Sequence, residues 1–143
     1  MSTDTLKKWS PYALGALRIM AGLLLMQHGM QKYFHFPPGG HVTGPMPVLS
    51  LFGIGGAIEL LGGGLLSIGL FARPVAFLLS GQMAVAYFMF HFPRAFTTEA
   101  GFFPVVNEGD LAVLFCFVFL YLFFEGPGAM SVDRRLKRTP EDV

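Results

Sequence analysis

The chain has 143 residues, of which 53% are hydrophobic and only 13% are charged, and phenylalanine alone contributes 16. A soluble domain of this composition would have too little polar surface to cover itself, so the sequence predicts an integral membrane protein in contact with a lipid bilayer. A formal net charge of +1, without a basic patch outside the C-terminal tail, gives no basis for nucleic-acid binding.

Four apolar segments predict an all-α fold, an integral membrane four-helix bundle with up-down-up-down order. Each segment reaches or approaches the roughly 20 residues that cross the hydrocarbon layer. An excess of Lys and Arg at one end of these segments predicts that both termini are cytoplasmic, in a bacterial-type inner membrane that the chain crosses several times. We expect a single domain over residues 1–143, with helices at about 12–30, 48–70, 74–91 and 108–124 and a polar tail over 126–143.

In the first segment, Arg18, His28 and Lys32 share roughly one helical face. Lys32 stands near the outer end, where a lysine usually extends its ammonium group to the headgroups. Arg18 lies roughly 13 Å beyond Trp9 at 1.5 Å per residue, which is deep for the same behaviour at the inner surface. We therefore expect Arg18, more than Lys32, to need a partner inside the bundle.

The second segment carries a single carboxylate, Glu59, near the middle of a long apolar run. An acidic side chain at the centre of a bilayer costs roughly 2.5–3.5 kcal/mol, so it normally faces the bundle interior and has a partner. Depth estimates along the helices bring Arg18 within reach. They predict an ion pair between Arg18 and Glu59, with Gln82 of the third segment beside it.

The helical face around Glu59 is nearly bare of side chains. Such a face allows a close contact with another helix, a homodimer with a second copy of the chain, or a cavity beside the carboxylate. The sequence leaves these alternatives open. The glycines that create the face, one helical turn to either side of Glu59, are Gly55, Gly56, Gly62 and Gly63.

The third segment ends near His91, at a depth similar to that of His28 on the first. Two histidines on separate helices can hold haem, but alone they are weak support for it. The loop that follows is long and aromatic, and we expect it to fold back as a lid over the outer end of the bundle. Asn107 is predicted to cap the fourth helix, with acidic residues in the first turn.

The chain contains none of the common motifs of hydrolases, phosphate-binding loops, zinc proteases or dinucleotide-binding domains. His35 and His41 fit no zinc-site spacing, and Cys116 stands alone, so we expect neither a metal site nor a cysteine pair. Catalytic residues are therefore unassigned. The candidates for a ligand-binding site or buried polar core are Arg18, His28, Lys32, Glu59, Gln82, His91 and Asn107.

Several motifs together resemble the DoxX family of small membrane proteins. They are HGMQK at 28–32, the glycine-flanked Glu59 followed by LFAR at 70–73, NEGD at 107–110 and GPGAMSVD at 126–133. The resemblance implies a four-helix integral membrane protein. It also suggests a link to quinones, because the family is named for a subunit associated with the quinone-dependent oxidation of sulfur compounds.

Two functional hypotheses are consistent with these residues. In the first, the protein is a quinone-binding or redox-associated subunit, in which Glu59, His28 or His91 hydrogen-bonds a quinone oxygen. Such a chain would work with a redox partner protein, as part of an oxidoreductase complex more than as a stand-alone enzyme. In the second, the buried charges are structural and the protein is a non-enzymatic membrane accessory that docks partners through its loops or tail. Haem is a weaker alternative as cofactor, and a transporter stays open although no inverted repeat is visible.

Overall fold

The computed structural model of the protein describes residues 2–39, 47–97 and 99–137, and His41 of the first loop lies outside these ranges. Within them the chain forms five α-helices and no strand, which confirms the all-α prediction. A π-helical turn (Tyr87–His91) and a 3-10 helix (Phe92–Phe96) extend the third helix. The α-helices are α1 (Thr3–Phe34), α2 (Leu51–Ile68), α3 (Ala72–Ala86), α4 (Asp110–Glu125) and α5 (Val132–Leu136).

Capping residues explain why the helices extend beyond the apolar pattern. α1 begins at Thr3, well before its apolar segment, because Ser2 accepts a hydrogen bond from the N–H of Thr5. The hydrophobic pattern does not predict α5, which Ser131 caps by accepting from the N–H of Arg134. Hydropathy therefore marks the part of a helix that lipid can cover, while the caps mark where the helix begins.

Three helical stretches within the described ranges are long and apolar enough to cross a membrane: Thr3–Phe34, Leu51–Ile68 and Ala72–Phe96. Large apolar side chains on the outside of the helices remain exposed, including Leu61 (67%) and Phe117 (64%). Lipid is the environment that covers such surface. The chain is therefore a membrane protein.

α1 and α2 pack closely through glycine. A Cβ atom on Gly22 would lie 2.7 Å from the carbonyl oxygen of Gly63, and a Cβ atom on Gly29 would lie 2.7 Å from that of Gly56. Because the two contacts are seven residues apart on both helices, they fix the antiparallel register. These glycines therefore serve a helix contact within one chain.

α3 and α4 form the second closely packed pair. The rings of Phe115 and Phe119 stack inside it with their centroids 5.3 Å apart, and Leu79 is fully buried. Ser80 of α3 donates to the carbonyl oxygen of Cys116 on α4 at 2.9 Å. α2 touches α3 through fewer residues, and α1 barely touches α4. The two pairs consequently leave space between them.

Candidate functional site

A cavity of about 890 Å³ lies between the two helix pairs, with mostly apolar walls that include Ile58 and Phe115. Two glycines help to keep it open. A Cβ atom on Gly81 would meet no other part of the chain within 4 Å, and one on Gly55 would meet only Gln82 Nε2, at 3.5 Å. The volume falls within the roughly 300–1,000 Å³ of small-molecule sites.

One side of the cavity faces lipid. Four residues line the cavity although about half of each is exposed on the outside of the protein: Ile54 of α2 and Phe77, Leu78 and Val85 of α3. Residues that line the cavity and are also exposed on the outer surface mark an opening in the cavity wall. A lipid-soluble molecule can therefore enter from the bilayer without crossing a polar layer.

Glu59 forms the polar centre of the cavity wall together with Lys32 and Gln82. Lys32 Nζ lies 2.7 Å from each carboxylate oxygen, and the Glu59 side chain is only 5% exposed. Gln82 Nε2 donates to Glu59 Oε1 at 3.1 Å. The ring of Phe52, 5.2 Å from Lys32 Nζ, adds a cation–π contact. The buried carboxylate thus has partners on α1 and α3.

Two oxygen atoms of this cluster lack a hydrogen-bond donor among the described residues: Gln82 Oε1 and Glu59 Oε2. Glu59 Oε2 is close enough to Lys32 Nζ for an ionic contact, but the angle between the two groups does not give an aligned hydrogen bond. Buried polar atoms nearly always have a partner. The cluster therefore has the capacity to accept hydrogen bonds from a bound molecule.

The predicted ion pair between Arg18 and Glu59 is wrong. Arg18 Nη1 donates instead to the carbonyl oxygens of Leu66 and Ser67, at 2.6 Å each. The glycine contacts place Lys32 level with Gly53 and Arg18 level with Ser67, six and eight residues from Glu59 along α2. Because helix side chains tilt towards the N-terminus, those of Lys32 and Glu59 point towards each other across the antiparallel pair, whereas Arg18 points away. Depths counted from helix ends are too coarse to choose between these two cations.

Arg18 joins α2 to the chain segment that follows α4. Its Nε donates to the carbonyl oxygen of Pro127 at 2.7 Å, and its Nη2 donates to those of Met130 at 2.9 Å and Ala129 at 3.3 Å. The side chain is fully buried, and it lies outside the cavity. Because its hydrogen bonds all go to backbone carbonyl groups, Arg18 is a structural residue.

Two further side chains close the same end of the molecule. The carboxylate of Asp133 accepts from the N–H groups of Phe71 at 2.8 Å and Ala72 at 2.7 Å, which start α3 and have no partner within the helix. Arg73 donates to the last carbonyl oxygens of α4, with two contacts of 2.6 Å. The GPGAMSVD motif at 126–133 therefore holds the ends of helices together.

His28 and His91 both line the cavity. His91 Nδ1 lies 3.1 Å from the carbonyl oxygen of Asn107. A carbonyl oxygen only accepts, so Nδ1 carries the hydrogen and Nε2 is left for another interaction. The His91 ring lies parallel to that of Tyr87 at the π-helical turn, a kind of irregularity that often occurs at functional sites.

Asn107 does not cap α4 as predicted, because the N-cap residue is Gly109. The fully buried Asn107 side chain accepts from the N–H of Gly109 at 3.0 Å and donates to the carbonyl oxygen of Gly101 at 2.9 Å. It therefore holds the loop before α4 in shape. In doing so it positions the carbonyl group that binds His91.

The aromatic side chains of this loop do not cover the cavity. Phe96 and Phe102 are 80% and 68% exposed, and neither lines the cavity. Arg94 and Glu108, which form an ion pair between the two ends of the loop, do line it, as does Gln31 of α1. Sequence reasoning missed these three, although Arg94 lies one helical turn after His91 and Gln31 directly precedes Lys32.

Among the described residues, no group of three or more His, Cys, Asp or Glu side chains could hold a metal ion. The polar groups on the cavity wall are two ion pairs, two amides and two imidazoles around an apolar space. These groups can bind and orient a molecule that combines polar atoms with an apolar surface.

Comparison with known proteins identifies the family. The DoxX family model matches residues 13–92, more than half of the chain, and includes most of α1 and all of α2 and α3. An uncharacterized protein of Haemophilus influenzae is 39% identical over 92% of this chain and 96% of its own length. An uncharacterized membrane protein of Mycobacterium tuberculosis is 28% identical over 90% of this chain and 83% of its own. No solved structure matches the chain. The chain therefore belongs to the DoxX family.

Proposed function

We propose that this protein is a quinone-binding, redox-associated membrane subunit whose ligand site is the cavity beside Glu59. The observation that carries the proposal is the buried cluster of Lys32, Glu59 and Gln82 on the wall of an otherwise apolar cavity of about 890 Å³. A quinone has the matching shape, because it combines an apolar ring and tail with two polar oxygens. The opening towards lipid suits a molecule that diffuses in the bilayer.

The polar groups of the wall fit the oxygens of such a ring. Lys32 is a donor for a ring oxygen, and Gln82 Oε1, a buried acceptor without a donor among the described residues, can accept from a ring hydroxyl in the reduced form of the molecule. His28 and His91 supply imidazole nitrogens that can form hydrogen bonds with a ring oxygen. A bound quinone supplies two-electron, two-proton chemistry, for which these residues would hold the ring and exchange protons.

The proposed subunit has a defined membrane topology and works beside a redox partner protein. We propose a single four-helix domain in a bacterial inner membrane, with both termini cytoplasmic, in line with the distribution of Lys and Arg. Because quinone chemistry needs a source or acceptor of electrons, the chain would act as one subunit beside a redox partner protein. A homodimer is not required, since Gly22, Gly29, Gly56 and Gly63 are already used between α1 and α2.

A second candidate function is a non-enzymatic accessory protein whose buried charges are structural. Arg18 supports it, because this fully buried cation makes only backbone contacts. The cluster at Glu59 differs from Arg18, because it borders a cavity and retains acceptors without donors. This difference is why quinone binding is the preferred function.

The test is the quinone content of the purified protein. Lipid extraction and mass spectrometry should find about one quinone per wild-type chain. Gly81→Leu fills the cavity, where a Cβ atom would meet nothing within 4 Å, and should remove most of the quinone while the protein stays folded. Gly64→Leu is the matched control, because Gly64 lies off the cavity wall and its Cβ atom would meet only Met26 Sδ, at 3.8 Å.

A wild-type protein that neither co-purifies with quinone nor binds an added one would refute the proposal and favour the accessory function. Equal quinone content in the Gly81→Leu and Gly64→Leu variants would contradict the location of the site. A Soret band in the purified protein would point to haem instead.

A further inference from the structure

We infer that the site binds the reduced, hydroxyl-bearing form of its ligand, a hydroquinone, more tightly than the quinone. This inference rests on the proposed function and concerns which form of that ligand the polar wall selects. It follows from the balance of donors and acceptors around Glu59.

The orientation of the Gln82 amide is fixed by its neighbour. Nε2 donates to Glu59 Oε1 at 3.1 Å, and a carboxylate oxygen can only accept. Turning the amide over would bring two oxygens together. Gln82 Oε1 must therefore be the end without a partner, and it is a buried acceptor with no donor among the described residues.

Glu59 Oε2 is a second acceptor in the same cluster. The Glu59 side chain is 95% buried, since only 5% is exposed, and Oε2 has no aligned hydrogen bond although Lys32 Nζ lies 2.7 Å away. The Lys32 ammonium group is shared between both carboxylate oxygens. The ammonium group has three N–H groups, so one that remains can donate to an oxygen of either form of the ligand, and Lys32 does not discriminate between them.

A quinone and a hydroquinone differ at this wall in one chemical respect. Each oxygen of a quinone only accepts hydrogen bonds. Next to Gln82 Oε1 it would bring two acceptors together with no hydrogen between them. Each hydroxyl of a hydroquinone also donates, and can supply the hydrogen that Gln82 Oε1 or Glu59 Oε2 lacks. His28, also on the cavity wall, can donate or accept and therefore does not discriminate between the two forms.

The expected preference is about tenfold for one such hydrogen bond, and more if both acceptors are satisfied. It can be measured by anaerobic isothermal titration calorimetry of the wild-type protein in detergent. The probes are decylubiquinone and decylubiquinol, which carry the same ring substituents and the same tail. We expect decylubiquinol to bind at least about tenfold more tightly.

A matched pair of variants tests whether Gln82 Oε1 is responsible. Gln82→Met keeps the length of the side chain and removes the acceptor, so the preference for decylubiquinol should shrink by about tenfold. Ser80→Ala on the same helix removes a hydroxyl that bonds to Cys116 and does not line the cavity, so it should leave the preference unchanged.

Equal binding of the two probes, or tighter binding of decylubiquinone, would overturn this inference and leave quinone binding itself intact. Binding of neither probe would overturn the proposed function and the inference with it. A preference for decylubiquinol that survives in Gln82→Met at full size would also overturn the inference, because the selecting group would then lie elsewhere.

Discussion

Replacing Lys32 by methionine should leave Glu59 as a buried charge without its cation. The Lys32 ammonium group lies 2.7 Å from both carboxylate oxygens, and only 5% of the Glu59 side chain is exposed. At this distance and an effective dielectric constant of about 20, the attraction between two unit charges is about 6 kcal/mol. Desolvation offsets part of it, and removing one partner of a buried pair typically costs about 3–5 kcal/mol.

We therefore expect Lys32→Met to lower the free energy of unfolding by about 3 kcal/mol or more. Adding Glu59→Gln removes the unpaired charge and should recover more than half of this loss. The resulting coupling between the two positions should be about 2 kcal/mol or more. The assay is reversible unfolding in mixed micelles with increasing dodecyl sulfate, followed by circular dichroism.

Arg94→Met is the matched control for removal of a cation. It breaks an ion pair with Glu108 whose side chains are 48% and 67% exposed, and such pairs contribute less than about 1 kcal/mol. If Lys32→Met lowers the free energy of unfolding no more than Arg94→Met does, the Lys32–Glu59 pair does not stabilise the fold. Losses that simply add in the Lys32→Met, Glu59→Gln double variant would contradict a direct interaction between the two side chains.

Two further predictions concern the parts of the structure that frame the cavity. Arg18→Met leaves five carbonyl oxygens without their hydrogen-bond donor, and should lower the free energy of unfolding by about 3–5 kcal/mol in the same assay. A loss below about 1 kcal/mol would show that those carbonyl groups do not depend on Arg18. Gly29→Ala should also be strongly destabilising, since its Cβ atom would lie 2.5 Å from the backbone nitrogen of Leu60, whereas Gly81→Ala, with nothing within 4 Å, should be neutral or slightly stabilising. Equal effects of the two glycine substitutions would contradict the glycine contact between α1 and α2.

The sequence predicts the parts of this fold that follow from composition and local pattern. The all-α class, the membrane environment and the family follow from the apolar segments and the motifs. The costly position of Glu59 in an apolar run indicates a buried partner, and Gln82 is identified beside it. The site contacts at Glu59 confirm both expectations.

The choice of cation could not be predicted from depth, because Arg18 and Lys32 are both on α1 and counting from helix ends carries an error of several residues. What decides between them is the register of α1 on α2, which depends on two backbone contacts at Gly22 and Gly29, together with the tilt of helix side chains towards the N-terminus. The matching spacing of seven between glycines on the two helices is a sequence signal for this register. It becomes informative only once the two helices are known to pair.

The role of Arg18 was hidden for a different reason. Its partners are carbonyl oxygens of Pro127, Ala129 and Met130, more than 100 residues away along the chain. Backbone groups belong to every residue type, so no side-chain pattern marks them as partners. The GPGAMSVD motif can be recognised in the sequence, but its function as an anchor for Arg18 is visible only in the structure.

The position at which a quinone binds is the most direct test of a ligand site beside Glu59. A photoreactive azidoquinone can be crosslinked to the wild-type protein in lipid vesicles, and the labelled peptides identified by mass spectrometry. We predict labelling on the walls of the cavity, at residues 51–59 of α2 and 78–86 of α3, which excess decylubiquinol suppresses. Labelling confined to the lipid-facing surface of α4, or labelling that decylubiquinol does not suppress, would contradict it.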